Sequence, residues 1–297
     1  MSLVAVREAD LGPERAKVTS QSLLAQKRSG AAITSLTAYD YPTARLVDEA
    51  GIDMVLVGDS LGMAVLGHSD TLSVTMEEML HHARAVRRGV QRALLVVDMP
   101  FGSYQVSQEE TLRNGLRLVK EAGAEAVKLE GGALSHASSV RVLTEAEVPV
   151  VGHIGLTPQS VHRMGGYRVQ GRSVEAVARL REEALRLEDA GAIALVLEGI
   201  PRELARAITA ELTIPTIGIG AGPECDGQIL VFHDLFDLSF RKPPKFVRSF
   251  GDAGAMMRAG LEAFREAVEE RSFPADAESY HLPAQVSLEE PVELKGR

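Results

Sequence analysis

The chain has 297 residues, 45% of them hydrophobic and 25% charged, the mixture of a soluble globular protein with ample length for a core. A formal net charge of −9 argues against a nucleic-acid binder that works by general phosphate attraction, while leaving room for a locally basic site that takes a small anion. One cysteine, Cys225, excludes an intramolecular disulfide and a thiolate metal cage. Low cysteine content fits a reducing cytoplasm, the expected location. Charges within Met1–Glu8 stand where a signal peptide needs an apolar stretch, and no run of ~18 apolar residues predicts a membrane span.

Ser20–Ser29 reads as a helix ahead of the first strand, able to plug a barrel floor. Short runs rich in Val, Ile and Leu follow at Ala32–Tyr39, Met54–Gly58, Ala93–Val97, Ala126–Leu129, Val148–Gly152, Ala194–Leu197, Thr216–Ile219 and Ile229–Phe232. Apolar on both faces, they have the habit of parallel strands covered on each side. Helix signals lie between them. Pro42 can open one helix and Gly51 follow it. Thr75 and Gly89 bound Met76–Arg88, Gly123 ends Glu109–Ala122, Gly191 ends Val174–Ala190, and Pro201 opens Arg202–Glu211. Eight strands with helical crossovers predict a closed (β/α)8 TIM barrel over an open doubly wound sheet. Gly218–Gly222 does not have the spacing of a dinucleotide fingerprint. Asp252–Glu270 reads as a terminal helix. The expected organisation is one barrel domain over residues 1–272 and an extended or partly disordered tail over 273–297.

In such barrels the chemistry sits at the C-terminal ends of the strands. Strand two ends in Asp59-Ser60, strand three in Asp98, strand four in Lys128-Leu129-Glu130, strand five in Gly152-His153 and strand six in Glu198. Four carboxylates on one rim repel one another, so a positive partner belongs among them. Lys128 lies two residues before Glu130 and points to the same side of the strand. A hard divalent cation such as Mg²⁺ suits the remaining oxygen donors. Singly, each residue has a simpler reading. Asp59 could cap a helix, Asp98 could make a turn, Lys128 could serve a salt bridge, and His153 reads first as a structural or hydrogen-bonding histidine. Cys225 reads as a packing residue. Gly165–Arg172, glycines around a basic aromatic stretch, suits a mobile lid over an anion and equally an ordinary loop.

The segments Thr37–Asp40, Leu56–Met63, Leu72–Met76, Asp98–Phe101, Val127–Gly132, Gly152–Ser160, Gly165–Arg172, Leu197-Glu198, Ile217–Gly222 and Asp226–Val231 together resemble the ketopantoate hydroxymethyltransferase family. The resemblance runs from about Val18 to about Phe250 and lapses after Tyr280. It implies a barrel of the phosphoenolpyruvate/pyruvate type. It further implies transfer of a one-carbon unit from 5,10-methylenetetrahydrofolate to α-ketoisovalerate, giving ketopantoate for pantothenate synthesis. Asp59, Asp98 and Glu130 would hold Mg²⁺, directly or through water. Asp59, Ser60, Asp98 and Lys128 would contact the keto acid, and Glu198 would be the general base. Apart from the resemblance, the folate's glutamate tail is anionic, so Arg168 or Arg172 on the lid stretch are candidates to meet it. The resemblance also implies a large homo-oligomer, with a homodecamer as the number it suggests. Two rivals stand beside it. One is a carbon–carbon lyase of the isocitrate lyase/phosphonate mutase type, whose Lys-Lys-Cys-Gly-His motif is absent here. The other is a barrel that only binds.

Overall fold

A computed structural model describes residues 16–286. The expected signal-free N-terminus and the tail beyond residue 286 lie outside the described residues. Eight parallel strands close into a barrel in the order of the chain: β1 (Ile33–Thr37), β2 (Met54–Val57), β3 (Leu94–Asp98), β4 (Ala126–Glu130), β5 (Val150–Gly155), β6 (Ala194–Glu198), β7 (Thr216–Ile219) and β8 (Gly227–Leu230). β8 pairs with β1, with Ile33 opposite Gly227, so no strand edge is left open.

The helices are α1 (Ser20–Ser29), α2 (Tyr41–Glu49), α3 (Leu61–Ala64), α4 (Met76–Gly89), α5 (Gln108–Ala122), α6 (Leu134–Glu145), α7 (Val161–Met164), α8 (Val174–Asp189), α9 (Arg202–Glu211), α10 (Phe232–Leu235) and α11 (Ala253–Glu269). Their ends carry the expected chemistry. Thr75 and Glu78 form a capping box on α4, Ser107 caps α5 and Ser173 caps α8. Gly30 and Gly123 close α1 and α5 in the left-handed conformation. No helix among the described residues is long and apolar enough to cross a membrane.

The core has two layers, and the period-2 alternation of the strands sorts side chains between them. Met54, Leu56, Leu94, Val96, Ala126, Val151, Ala194, Val196 and Ile217 fill the barrel interior, where Leu23 of α1 closes the floor. Val55, Leu95, Val97, Val127, Leu129, Leu195 and Leu197 face outward onto the helices. Carried to the C-terminal end, the inward series delivers Asp98 on β3, Lys128 and Glu130 on β4, His153 on β5 and Glu198 on β6 into the mouth.

Two strands and one helix depart most from the pattern in the sequence. β5 runs through His153 to Gly155, because its ladder with β6 continues to Gly155 opposite Glu198. β8 begins at Gly227 and ends before Phe232, whose amide donates to Thr37 Oγ1 and whose ring starts α10. α6 covers β4 and β5 although its sequence signals are weak: it has no side-chain cap. α10 with Phe232, Leu235 and Phe236 closes the outer layer after β8, whereas no residue of α11 is buried.

Candidate active site

Asp59, Asp98, Lys128, Glu130 and His153 are all buried at the mouth, and Glu198 is nearly so. Strand register sets their order. Asp98 pairs with Lys128 across β3 and β4, and Glu130 pairs with His153 across β4 and β5. The Lys128 ammonium stands 2.9 Å from Asp98 Oδ1 and 4.0 Å from Glu130 Oε1. His153 Nδ1 lies 3.4 Å from Lys128 Nζ and 3.5 Å from Glu130 Oε1, while its Nε2 faces Glu198 Oε2 at 3.2 Å. Only the Lys128–His153 contact has hydrogen-bond alignment; the other four are charge contacts, and Asp98 Oδ1 and His153 Nε2 are buried with no hydrogen-bond partner.

Asp59 is not a helix cap. Its amide donates to Asp98 Oδ2 at 3.0 Å, and its own Oδ2 accepts from Gln159 Nε2 at 2.8 Å. Nor is Asp98 a turn residue, since it ties β3 to the β2 loop. Ser60 hydrogen-bonds the hydroxyl of fully buried Tyr39 at 2.8 Å. Gly58 makes this crowding possible: a Cβ there would stand 2.8 Å from Ser60 Oγ and 3.3 Å from Asp98 Oδ2.

Burial pushes the Asp59 carboxyl well above its ordinary range, and the charges of Glu130 and Asp98 push it further. Burial also raises Asp98, against the pull of Lys128. At Glu130 burial is outweighed by His153, Lys128 and the Gln159 amide, and the net shift is downward. Burial and the neighbouring ammonium disfavour a charged His153, but Glu130 and Glu198 flank the ring and raise it to about 9. Lys128 is likewise raised: burial works against its charge, and Asp98, Glu130 and Asp59 outweigh burial.

Four carboxylates thus face two cationic side chains. With all six ionised the mouth carries two excess negative charges, the charge of one divalent cation. The donor set fits a hard cation: carboxylate oxygens, one of them buried without a hydrogen bond. Among the described residues no three acid, imidazole or thiolate groups close around a single point as a finished cage. Asp59, Asp98 and Glu130 share one patch, with the Lys128 ammonium among them.

Two parts of the site had little signal in the sequence. Gln159, in the 3₁₀ turn Pro158–Ser160 after β5, and Tyr104, on the loop after β3, lie past the strand ends themselves, yet both are buried against Glu130. His153 had a polar signal, but only the extended β5 shows that it joins Glu130 to Glu198. Arg168 and Arg172 are exposed and stand outside the cluster. The segment carrying them is pinned by the Gln170 amide to Gly199 O at 2.9 Å and by Tyr167 against Met63. Cys225 is half-buried beside Gly218, away from the acids.

Comparison with known proteins places this geometry. The chain is 60% identical over 280 residues to the 3-methyl-2-oxobutanoate hydroxymethyltransferase of Koribacter versatilis (strain Ellin345), covering 94% of this chain and 95% of that one. It is 52% identical over 266 residues to the enzyme of the same name from Thermoanaerobacter sp. (strain X514), covering 90% and 97% of the two chains. Among solved structures, a 2,3-dimethylmalate lyase of the PEP mutase/isocitrate lyase superfamily shares the fold at a TM-score of 0.55 and 18% identity, covering 88% of this chain and 91% of that one. A phosphonopyruvate hydrolase solved with oxalate and Mg²⁺ matches at a TM-score of 0.52 and 16% identity, covering 89% and 92%. These likenesses show the barrel alone. The family model described as ketopantoate hydroxymethyltransferase matches residues 17–276, and the chain belongs to that family.

Proposed function

We propose that the chain forms ketopantoate from α-ketoisovalerate, taking the one-carbon unit from 5,10-methylenetetrahydrofolate. The observation that carries this reading is the run Glu198–His153–Glu130–Lys128–Asp98 at the mouth, in a chain that is 60% identical to an enzyme named for that transfer.

Glu198 is the general base in this reading. It is the acid nearest the opening, with its side chain 15% exposed, and His153 holds it from one side. It takes the proton from the substrate carbon beside the ketone. That carbon bonds to the folate-derived methylene carbon and water supplies the hydroxyl oxygen of the product, while both of the methylene's bonds to nitrogen break; the proton from the substrate carbon and one from the water balance the two nitrogens, leaving tetrahydrofolate. Lys128 pairs with the substrate carboxylate or with the negative charge that develops on the keto oxygen. Ser60, Asp59 and Asp98 line the same position. Asp59, Asp98 and Glu130 would hold Mg²⁺, directly or through water. Bound there, the ion would supply Lewis-acid stabilisation of the developing charge. General-base assistance contributes only ~10²–10⁴-fold, so the cationic groups must supply much of the acceleration.

For the folate, a cavity of about 320 Å³ opens beside the mouth, walled by Gly131, Gly155, His136 and Glu183, with Arg163 and Arg179 also on its lining. Its size is within the range of small-molecule sites. Arg168 and Arg172 remain candidates for the acidic tail, and Arg163 and Arg179 join them. The lyase reading has only fold-level likeness behind it, and a barrel that only binds has no use for the base. We place the enzyme in the cytoplasm as a homo-oligomer, with the exposed apolar side of α11 as the contact and a homodecamer as its form.

Proton NMR of α-ketoisovalerate with the protein and Mg²⁺ in D₂O tests the reading. The signal of the hydrogen beside the ketone should fade, and a chelator should stop it. No exchange even with tetrahydrofolate added, or exchange indifferent to chelator, would overturn it.

A further inference from the structure

Gln159 is the residue around which the acid cluster is tied, although it is neither acid nor at a strand end. It is the middle residue of the short 3₁₀ turn Pro158–Ser160 after β5 and is 6% exposed. Its Nε2 donates to Asp59 Oδ2 at 2.8 Å and to Met99 O at 3.0 Å. Its backbone amide donates to Glu130 Oε2 at 2.9 Å. Its Oε1 accepts from the Tyr104 hydroxyl at 2.5 Å, and that hydroxyl also lies 3.2 Å from Glu130 O and from the Glu130 amide. One residue therefore spans the ends of β2, β3 and β4, its side chain reaching the first two and its backbone amide the third.

The chemistry requires such a clamp. Asp59 and Glu130 are both buried, and two carboxylates in such a site repel each other. Left to themselves they would turn apart, and that removes an oxygen donor. An amide prevents this. Its N–H groups donate only, so they hold Asp59 Oδ2 in place and fix which way the carboxylate faces. Because the same residue holds Glu130 through its backbone, the spacing between the two carboxylates follows from one rigid unit. Tyr104 fixes which end of the amide faces Asp59, since its hydroxyl donates to the amide oxygen while the amide nitrogen turns to Asp59 and Met99 O.

We propose that Gln159, oriented by Tyr104, is a positioning residue that holds Asp59 and Glu130 as donors for the divalent cation. The proposal rests on the metal reading above. Groups that orient metal-binding side chains typically matter by ~10–100-fold in metal affinity.

Titration calorimetry with Mg²⁺ alone tests it on the full-length chain, beside thermal melting in chelator. Gln159→Met keeps length and burial but removes the donors. It should weaken Mg²⁺ binding about tenfold or more, with a smaller loss in Tyr104→Phe, where only the orienting hydroxyl goes. With Mg²⁺ saturating, kcat of Gln159→Met should recover toward wild type. A folded Gln159→Met whose Mg²⁺ affinity stays within about threefold of wild type would overturn the proposal and leave Gln159 a packing residue. If Gln159→Met fails to fold, unchanged affinity in Tyr104→Phe does the same. A wild-type chain that takes up no Mg²⁺ would bring down the metal reading itself, a result distinct from either.

Discussion

His153 Nε2 stands 3.2 Å from Glu198 Oε2, and the same ring reaches back to Glu130, 3.5 Å from Nδ1. The imidazole thus joins the proposed base to the proposed metal patch. Strand geometry imposes the link: Glu130 pairs with His153, and Glu198 pairs with Gly155, one inward position further along β5.

Glu198→Gln should retain keto-acid binding and lose deuterium exchange at the substrate carbon by ~10²–10⁴-fold, the range of a missing general base. The amide keeps the size of the side chain and its contact with the ring, so the fold should melt as wild type does. Binding and exchange failing together would place Glu198 among the structural or metal groups instead. NMR line broadening of the keto acid reads binding, and the D₂O experiment reads exchange.

His153 predicts a pH dependence of stability in chelator. Its folded value, about 9, is above the ordinary value of 6.5. The folded state therefore holds its proton more tightly than the unfolded state does. The resulting stabilisation is fully present below about pH 6.5 and is lost as the pH rises through about 9. Denaturant melts across pH 6 to 10 should show this decline in the wild type and a flatter curve in His153→Asn. Equal slopes would mean that the ring is neutral between its two acids.

Much of this was legible in the letters. Asp98, Lys128, Glu130 and Glu198 continue the inward series of their strands, so pattern alone brings them to one mouth. The end of β5 was not legible. Gly152-His153 reads as a break, yet Gly152 is glycine because a Cβ would meet Leu195 and Leu187 at 2.9 and 3.0 Å. A contact across the sheet selected it, and local pattern does not carry such contacts. Gln159 was hidden for a related reason: its partners Asp59 and Met99 are 100 and 60 residues away. α11 was predicted as a helix from its period, but the period does not tell which surface covers its apolar side.

Asp59→Asn should stabilise the metal-free protein. The Asp59 carboxyl is raised by burial and by its neighbours, so its ionised form costs stability as the pH rises above the unfolded value. An amide removes that cost and can still accept from Gln159. A rise in Tm of a few degrees in chelator is expected, about what 1 kcal/mol gives in a large domain. Mg²⁺ should raise the Tm of the wild type and have little effect on the variant, because binding to the folded state alone stabilises it. A variant that melts lower in chelator would show that the carboxylate is a net structural support.

The apolar side of α11 predicts assembly. Leu261 is 69% exposed and Phe264 is 56% exposed in the single chain, and Met257 and Val268 continue the same row of side chains. A contiguous apolar surface of this kind marks an interface. Leu261→Glu with Phe264→Glu should lower the particle mass seen by light scattering and leave the far-UV circular dichroism of the barrel unchanged. Unaltered mass would show that α11 makes no contact between copies.

Gly155 sets the position of the base from the strand beside it. Its φ is +97°, a conformation that costs residues with a Cβ, and a Cβ there would come within 2.2 Å of Glu198 O. The Glu198 carbonyl accepts from the Leu156 amide at 2.8 Å, so the backbone of the base has no room to retreat without breaking that bond. Gly155→Ala should therefore move Glu198 away from His153. Strain of this type costs about 1–3 kcal/mol of stability. Displacing a catalytic group by about 1 Å can cost 10²-fold in rate. Kinetics and melting together decide the case. A fall in kcat well beyond the fall in stability, with Mg²⁺ affinity kept, would show that the site depends on where this backbone puts the base. A loss of stability with normal kcat in the surviving folded protein would show that the site tolerates the shift.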